Sequence, residues 1–151
     1  MYKDGPAFPN PDDTGPEPRV GRVDFLSDEQ AIRVVDLAMD LARQGRTAEL
    51  VEFFDHGLSV NAQDPDGNTA LMLAAYHGRL DTVNALIEMG ADLDLTNSRD
   101  QTPIAGAIFK GEDQVVEALR DAGADLDRGT PTARATAEMF GRTHLLAGPA
   151  D

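Results

Sequence analysis

A chain of 151 residues with 41% apolar content sets the expectation of one domain with an ordinary core. The absence of cysteine excludes disulfides and thiolate metal sites and suits a reducing compartment. A net charge of -14 repels phosphates, so neither nucleic acid nor an anionic membrane is an expected partner; the acidity either keeps the protein in solution or suits a basic partner protein.

Residues 1–25 carry prolines at 6, 9, 11, 16 and 18, few apolar residues and no periodicity. Such a segment cannot bury enough surface to offset its chain entropy, and a disordered, Pro-rich, acidic tail is expected, solubilising or carrying a short peptide motif within PAFPNPDDTGPEP. It lacks the apolar centre of a secretory leader. No apolar run in the chain approaches the roughly 20 residues that cross a bilayer, so a cytoplasmic protein is expected.

Order is expected from SDEQAIRVVDLAMDLARQG onward. Ser27 is a good helix N-cap, and Gln30 three residues later completes a capping box. Ile32, Val35, Met39 and Ala42 recur at helical spacing, and Gly45 supplies the left-handed stop.

Beyond this helix the chain repeats itself. Shifted by 33 residues, Thr69 falls on Thr102, Leu71 on Ile104, Ala74 on Ala107, Gly78 on Gly111, Val83 on Val116 and Leu86 on Leu119. GADLD at Gly90 falls on GADLD at Gly123. One period earlier, Gly57 matches Gly90 and Gly45 matches Gly78. The last register slips by three, with Thr132 on Thr102 and Gly141 on Gly111. Each unit reads as a Thr-capped short helix, a second helix, a glycine and a small extended turn. One unit cannot cover its own apolar stripe, so neighbours must stack into a solenoid.

GNTALMLAAYHGRLDTVNALIEMGADLD resembles an ankyrin repeat, matching the pattern G-x-T-P-L-x-x-A-A-x-x-G, then V, L and G-A-D, at nearly every defining position. The resemblance covers roughly residues 30–146 and implies an all-α solenoid of antiparallel helix pairs with short β-hairpin or turn fingers. Its expected extent is 26–148: an N-terminal capping unit at about 27–65, full units at about 66–98 and 99–129, and a truncated unit at about 130–148. In the finger NAQDPDGNT, Pro65 suits the first corner of a turn and Gly67 the positive φ. Asp100 stands where the family prefers Gly, and the finger DLDRGTPT is three residues short. The family's TPLH reads TALM at Thr69 and TPIA at Thr102, so the hydrogen bonds of its His are expected to be missing. Gly106, matching Leu73, costs a helix interior roughly 1 kcal/mol. Arg120 replaces an apolar residue; its stem is expected to pack and its head to reach water.

Chemistry finds no foothold. DPDGN at Asp64 begins like a calcium loop, but Thr69 and Ala75 stand where that loop needs Gly and Glu. His56, His77 and His144 lack metal-ligand spacing. No nucleophile elbow, phosphate loop or dinucleotide fingerprint occurs. Asp92/Asp94 and Asp125/Asp127 look like paired acids, but they belong to the repeat, where a structural role is expected. No enzymatic activity, metal or cofactor is expected.

The resemblance implies binding on the concave face, at the fingers and the ends of the first helices. Position by position this designates Arg43 and Gln44, Tyr76 and His77, Phe109 and Lys110, Met139 and Phe140. The fingers add Pro65, Asp66, Asn68, Ser98, Arg99 and Gln101. Tyr76, Phe109 and Met139 then line up across units, either as an interface stripe or as side chains packed on each other. Two functions follow: a monomeric, non-catalytic module binding an unidentified partner protein on its concave face, or an acidic inhibitor or immunity-type protein occluding a basic enzyme.

Overall fold

The computed structural model describes residues 26–148; the expected tail, residues 1–25, lies outside them. Helix α1 (Asp28–Gln44) starts where Ser27 caps it. The Gln30 N–H donates to Ser27 Oγ at 3.1 Å, and the Ser27 N–H donates to Gln30 Oε1 at 3.0 Å. Its buried row is Ala31, Val35, Ala38, Met39 and Ala42. Ile32, expected in that row, is only half-buried. It lies one residue, about 100° of helix rotation, from Ala31, and the small residues of the Ala31 row face the next helix.

The remaining described elements are α2 (Thr47–Asp55), α3 (Ala70–Tyr76), α4 (Leu80–Glu88), α5 (Pro103–Lys110), α6 (Asp113–Asp121), α7 (Ala133–Met139) and a closing 3-10 turn (Thr143–Leu146). They alternate between two layers. In the inner layer α3 packs between α1 and α5, and α5 against α7; α2, α4, α6 and the 3-10 turn form the outer layer. Ala38, Ala74, Ala75, Ala107 and Ala137 are fully buried and let the inner helices approach closely. The outer layer contributes Leu50, Val83, Leu86, Val116 and Leu119.

Each later inner helix starts on the expected threonine. Thr69, Thr102 and Thr132 accept at their hydroxyls from the amides of Met72, Ala105 and Ala135 at 3.1, 3.3 and 3.0 Å. Such a cap is worth about 1 kcal/mol.

The fingers take the turn form. Among the described residues no strand forms, only an isolated antiparallel bridge between Gln63 and Thr69. The buried Asp64 carboxylate accepts from the amides of Asp66 and Asn68, both at 2.9 Å, so the aspartate that begins DPDGN holds its own turn. Asn97 repeats this with Arg99 and Gln101, both at 3.0 Å. Gly67 closes the first turn at φ 83, and Asp100 closes the second at φ 60. Asp100 has a compensation that its neighbour lacks, because the Thr130 hydroxyl donates to its carboxylate at 2.7 Å.

The repeated GADLD explains itself here. Asn61 Oδ1 accepts from the Asp92 amide, and Asp94 Oδ1 from the Asp125 amide, both at 2.8 Å. Asp92 and Asp125 accept from the amides of Asp94 and Asp127. Asn61 and Asp94 thus pin each unit to the next, while Asp92 and Asp125 hold their own turns.

One further expectation is corrected. Arg120 does not send its head to water. Its side chain is only 14% exposed, and its guanidinium donates to the Leu145 carbonyl at 2.7 Å and pairs with Asp121, tying α6 to the closing turn. At Met72, where the family has His, the sulfur accepts from the Asn97 amide at 3.4 Å.

Candidate functional site

Tyr76, Phe109 and Met139 stand at or near the C-terminal ends of α3, α5 and α7, at one position of successive units. Against the rule that large apolar side chains are buried, Phe109 is 57% and Met139 63% exposed, with Tyr76 and Phe140 also exposed. A cavity of about 360 Å³ opens along them, lined also by Met72, Ala105, Gly106 and Thr136 of the inner helices and by Gln101, Thr102 and Pro131 on the finger side.

The opening has a cause in the register. Leu73 is buried in α3; the same position holds Gly106 in α5 and Thr136 in α7. Gly106 has an ordinary helical backbone, and a Cβ added there would meet Tyr76 Cδ1 at 3.5 Å, a normal contact. The fold does not require glycine at this point.

The stripe is partly knitted together. The Lys110 ammonium lies 4.4 Å from the centre of the Tyr76 ring and reaches the Tyr76 carbonyl at 3.5 Å. Phe140 meets Phe109 edge-on at 5.6 Å, and His77 meets Tyr76 edge-on at 5.4 Å. Both readings of the aromatics therefore have substance. They stack across units, and they still leave much of their surface open.

Charge is segregated along this face. Burial, then the positive charges of Lys110, Arg43 and Arg79, push the His77 imidazole below its ordinary value of 6.5. At the first finger the field reverses. Burial, then the charges of Asp64, Asp40 and Asp66, raise the Asp36 carboxyl, with Arg43 opposing.

Of the other designated residues, all but Gln101 sit apart from the cavity. Arg43 pairs with Asp40 at 2.6 Å, and its carbonyl accepts from Arg79. Gln44 accepts from Arg46. Asn68 and Gln101 are tied into the fingers, as the Asn97 amide donates to Asn68 Oδ1 at 2.9 Å and Gln101 Oε1 at 2.7 Å; Gln101 alone of the two also lines the cavity. Pro65, Asp66, Ser98 and Arg99 are exposed on the turns. The sequence reading missed Met72, Ala105, Gly106, Pro131 and Thr136 as lining. Gly106 carried a signal, a glycine where the register has leucine, that reads as a cost in stability until the hollow is seen.

A family profile for ankyrin repeats matches residues 38–130 with three copies. Rat oxysterol-binding protein-related protein 1 (Rattus norvegicus) is 38% identical over 77 residues, 50% of this chain and 8% of that protein. A putative ankyrin repeat protein of Pseudomonas aeruginosa is 41% identical over 56 residues, 37% of this chain and 33% of that protein. An ankyrin repeat-containing protein of Schizosaccharomyces pombe is 32% identical over 63 residues, 42% of this chain and 30% of that protein. The chain thus spans a third or less of these relatives' own lengths. Stacked helix pairs, threonine caps, turn fingers and a profile match over well over half of the residues lead to one conclusion: the chain belongs to the ankyrin-repeat family.

Proposed function

We propose that the chain is a non-catalytic module that binds a partner protein on its concave face, through the stripe of Tyr76, Phe109, Met139 and Phe140. Ankyrin repeats serve in general as protein–protein interaction modules. The observation that carries the reading here is a run of large apolar side chains left open around a cavity, while the neighbouring finger polar groups bond one another. Large, stiff aromatic surfaces of this kind dominate interface energetics.

The inhibitor reading has no comparable support. Asp64, Asp92, Asp94, Asp125 and Asp127 are engaged within and between fingers, and the side chain over Tyr76 is a cation.

Affinity capture with mass spectrometry tests the reading. Tyr76→Ala and Phe109→Ala should each weaken the captured partner by about 2 kcal/mol or more, the hot-spot range. Glu88→Gln, on the exposed side of outer helix α4, should leave capture unchanged. Arg120, half-buried against the closing turn, does not serve as that control. Capture retained by both alanine variants and lost with Glu88→Gln would move the site to the outer face.

A further inference from the structure

Resting on the concave-face reading, we propose that the hollow at Gly106 receives one aromatic side chain of an acidic peptide segment in the partner, whose flanking carboxylate meets Lys110. Most of the hollow's lining is apolar, from Met72, Phe109, Pro131, Met139 and Phe140, and its polar side chains are partly engaged. The Thr102 hydroxyl accepts from the Ala105 amide, the Thr136 hydroxyl donates to the Thr132 carbonyl, and the Gln101 amide oxygen accepts from Asn97. An apolar aromatic side chain suits such a lining, because it asks for no hydrogen bond from it.

The polar element of recognition sits at the rim. Lys110 is the lysine among the described residues, and it contacts the Tyr76 ring and carbonyl and no carboxylate. An ammonium held over an aromatic wall, with no carboxylate paired to it, attracts an anion. The chain as a whole is strongly acidic, and at physiological salt charges beyond about 8 Å are largely screened, so its remote carboxylates weigh little at this rim. Gly106 supports the assignment independently. A helix interior favours alanine, the backbone here is ordinary, and space exists for a side chain; what glycine provides is the opening.

The test titrates the isotope-labelled full chain with three capped pentapeptides, followed by amide chemical shifts. The first has a central phenylalanine flanked by glutamates, the second a central alanine with the same flanks, and the third a central phenylalanine flanked by lysines. The first should shift the amides of Gly106, Phe109 and Phe140 and bind at least ten-fold tighter than the other two. Gly106→Leu should weaken it ten-fold or more, with thermal melts confirming that the variant folds. Gly106→Ala, the milder change, should weaken it a few-fold. Lys110→Gln, at an exposed position, should erase the preference for glutamate over lysine flanks. Equal binding of the alanine or lysine peptide to the wild type, or unchanged binding by Gly106→Leu and Gly106→Ala, overturns the proposal. A ten-fold gain in peptide affinity on Phe8→Ala would overturn it in favour of the chain's own N-terminal segment as occupant. Concentration-dependent self-association that the glutamate–phenylalanine peptide does not displace would overturn it in favour of a second copy. In the capture experiment, a partner lost with Tyr76→Ala and Phe109→Ala but kept with Gly106→Leu sinks this inference alone. A partner kept by all three sinks the concave-face reading as well.

Discussion

Gly106 is the position at which helix stability and surface shape pull apart. Replacing it with alanine removes the glycine entropy penalty, and the new Cβ finds an ordinary contact at Tyr76. Gly106→Ala should therefore stabilise the fold by about 1 kcal/mol, read as a higher urea midpoint with an unchanged slope. A loss of stability would show that Tyr76 cannot yield. His77, close by, makes a pH prediction whose sign is set by its depressed value. Above 6.5 the ring is neutral in both folded and unfolded chains and contributes nothing to pH dependence. Below 6.5 the unfolded chain binds the proton first, so stability should fall as pH drops through the lower folded value. Nuclear magnetic resonance titration of the His77 ring should give a midpoint below 6.5. Lys110→Gln should move that midpoint upward, since it removes one of the charges responsible.

Among the elements, the fingers show how the same turn can be closed by different chemistry. Gly67 adopts its positive φ freely, but Asp100 does so against a side-chain cost of about 1–2 kcal/mol. A hydrogen bond from Thr130, typically worth about 0.5–1.5 kcal/mol, offsets much of it. Asp100→Gly should therefore change stability by less than about 0.5 kcal/mol, since strain relief and bond loss nearly cancel. Asp100→Gly in a Thr130→Val background should stabilise clearly, because the bond is already gone; denaturant melts of the single and double variants decide. This element was half legible in advance. The register placed Asp100 at the left-handed corner from sequence alone, and the helices were equally plain from threonine caps, glycine stops and alanine rows. What periodicity could not supply were the partners one unit away: Thr130 for Asp100, Met72 for Asn97, Leu145 for Arg120. Those depend on how far and in which direction one unit is displaced on the next, and a one-dimensional repeat carries no such vector. The cavity was hidden for the same reason, since it is made of side chains from three inner helices and two fingers.

For the molecule as a whole, stability in a stacked array is a sum over units and the junctions between them. Among the described residues, the unit that follows α6 has a single 3-10 turn as its outer layer. Arg120 compensates by bonding the Leu145 carbonyl, and Arg142 reaches Asp113 at 3.2 Å across the same junction. Arg120→Ala should cost about 1.5–3 kcal/mol, the range for a charged hydrogen bond in a largely shielded site. The loss should be local: hydrogen exchange should accelerate in α7 and the closing turn, while α1 to α4 keep their protection. Uniform acceleration along the chain would mean that the units unfold as one.

The stacking of Lys110 on Tyr76 and of Phe140 on Phe109 gives the face a grammar of its own. Each exposed ring is read together with a side chain from the following unit, so the element of recognition is a junction rather than a repeat. Consider a duplication of residues 66–98 in place. The backbone would gain one more turn of the solenoid. The first copy of Tyr76 would then lie beneath a second His77 instead of Lys110, exchanging a fixed cation for a weak base. The second copy would keep Lys110. A repeat array of this design lengthens its scaffold by copying units, and every copy writes a pairing that did not exist before.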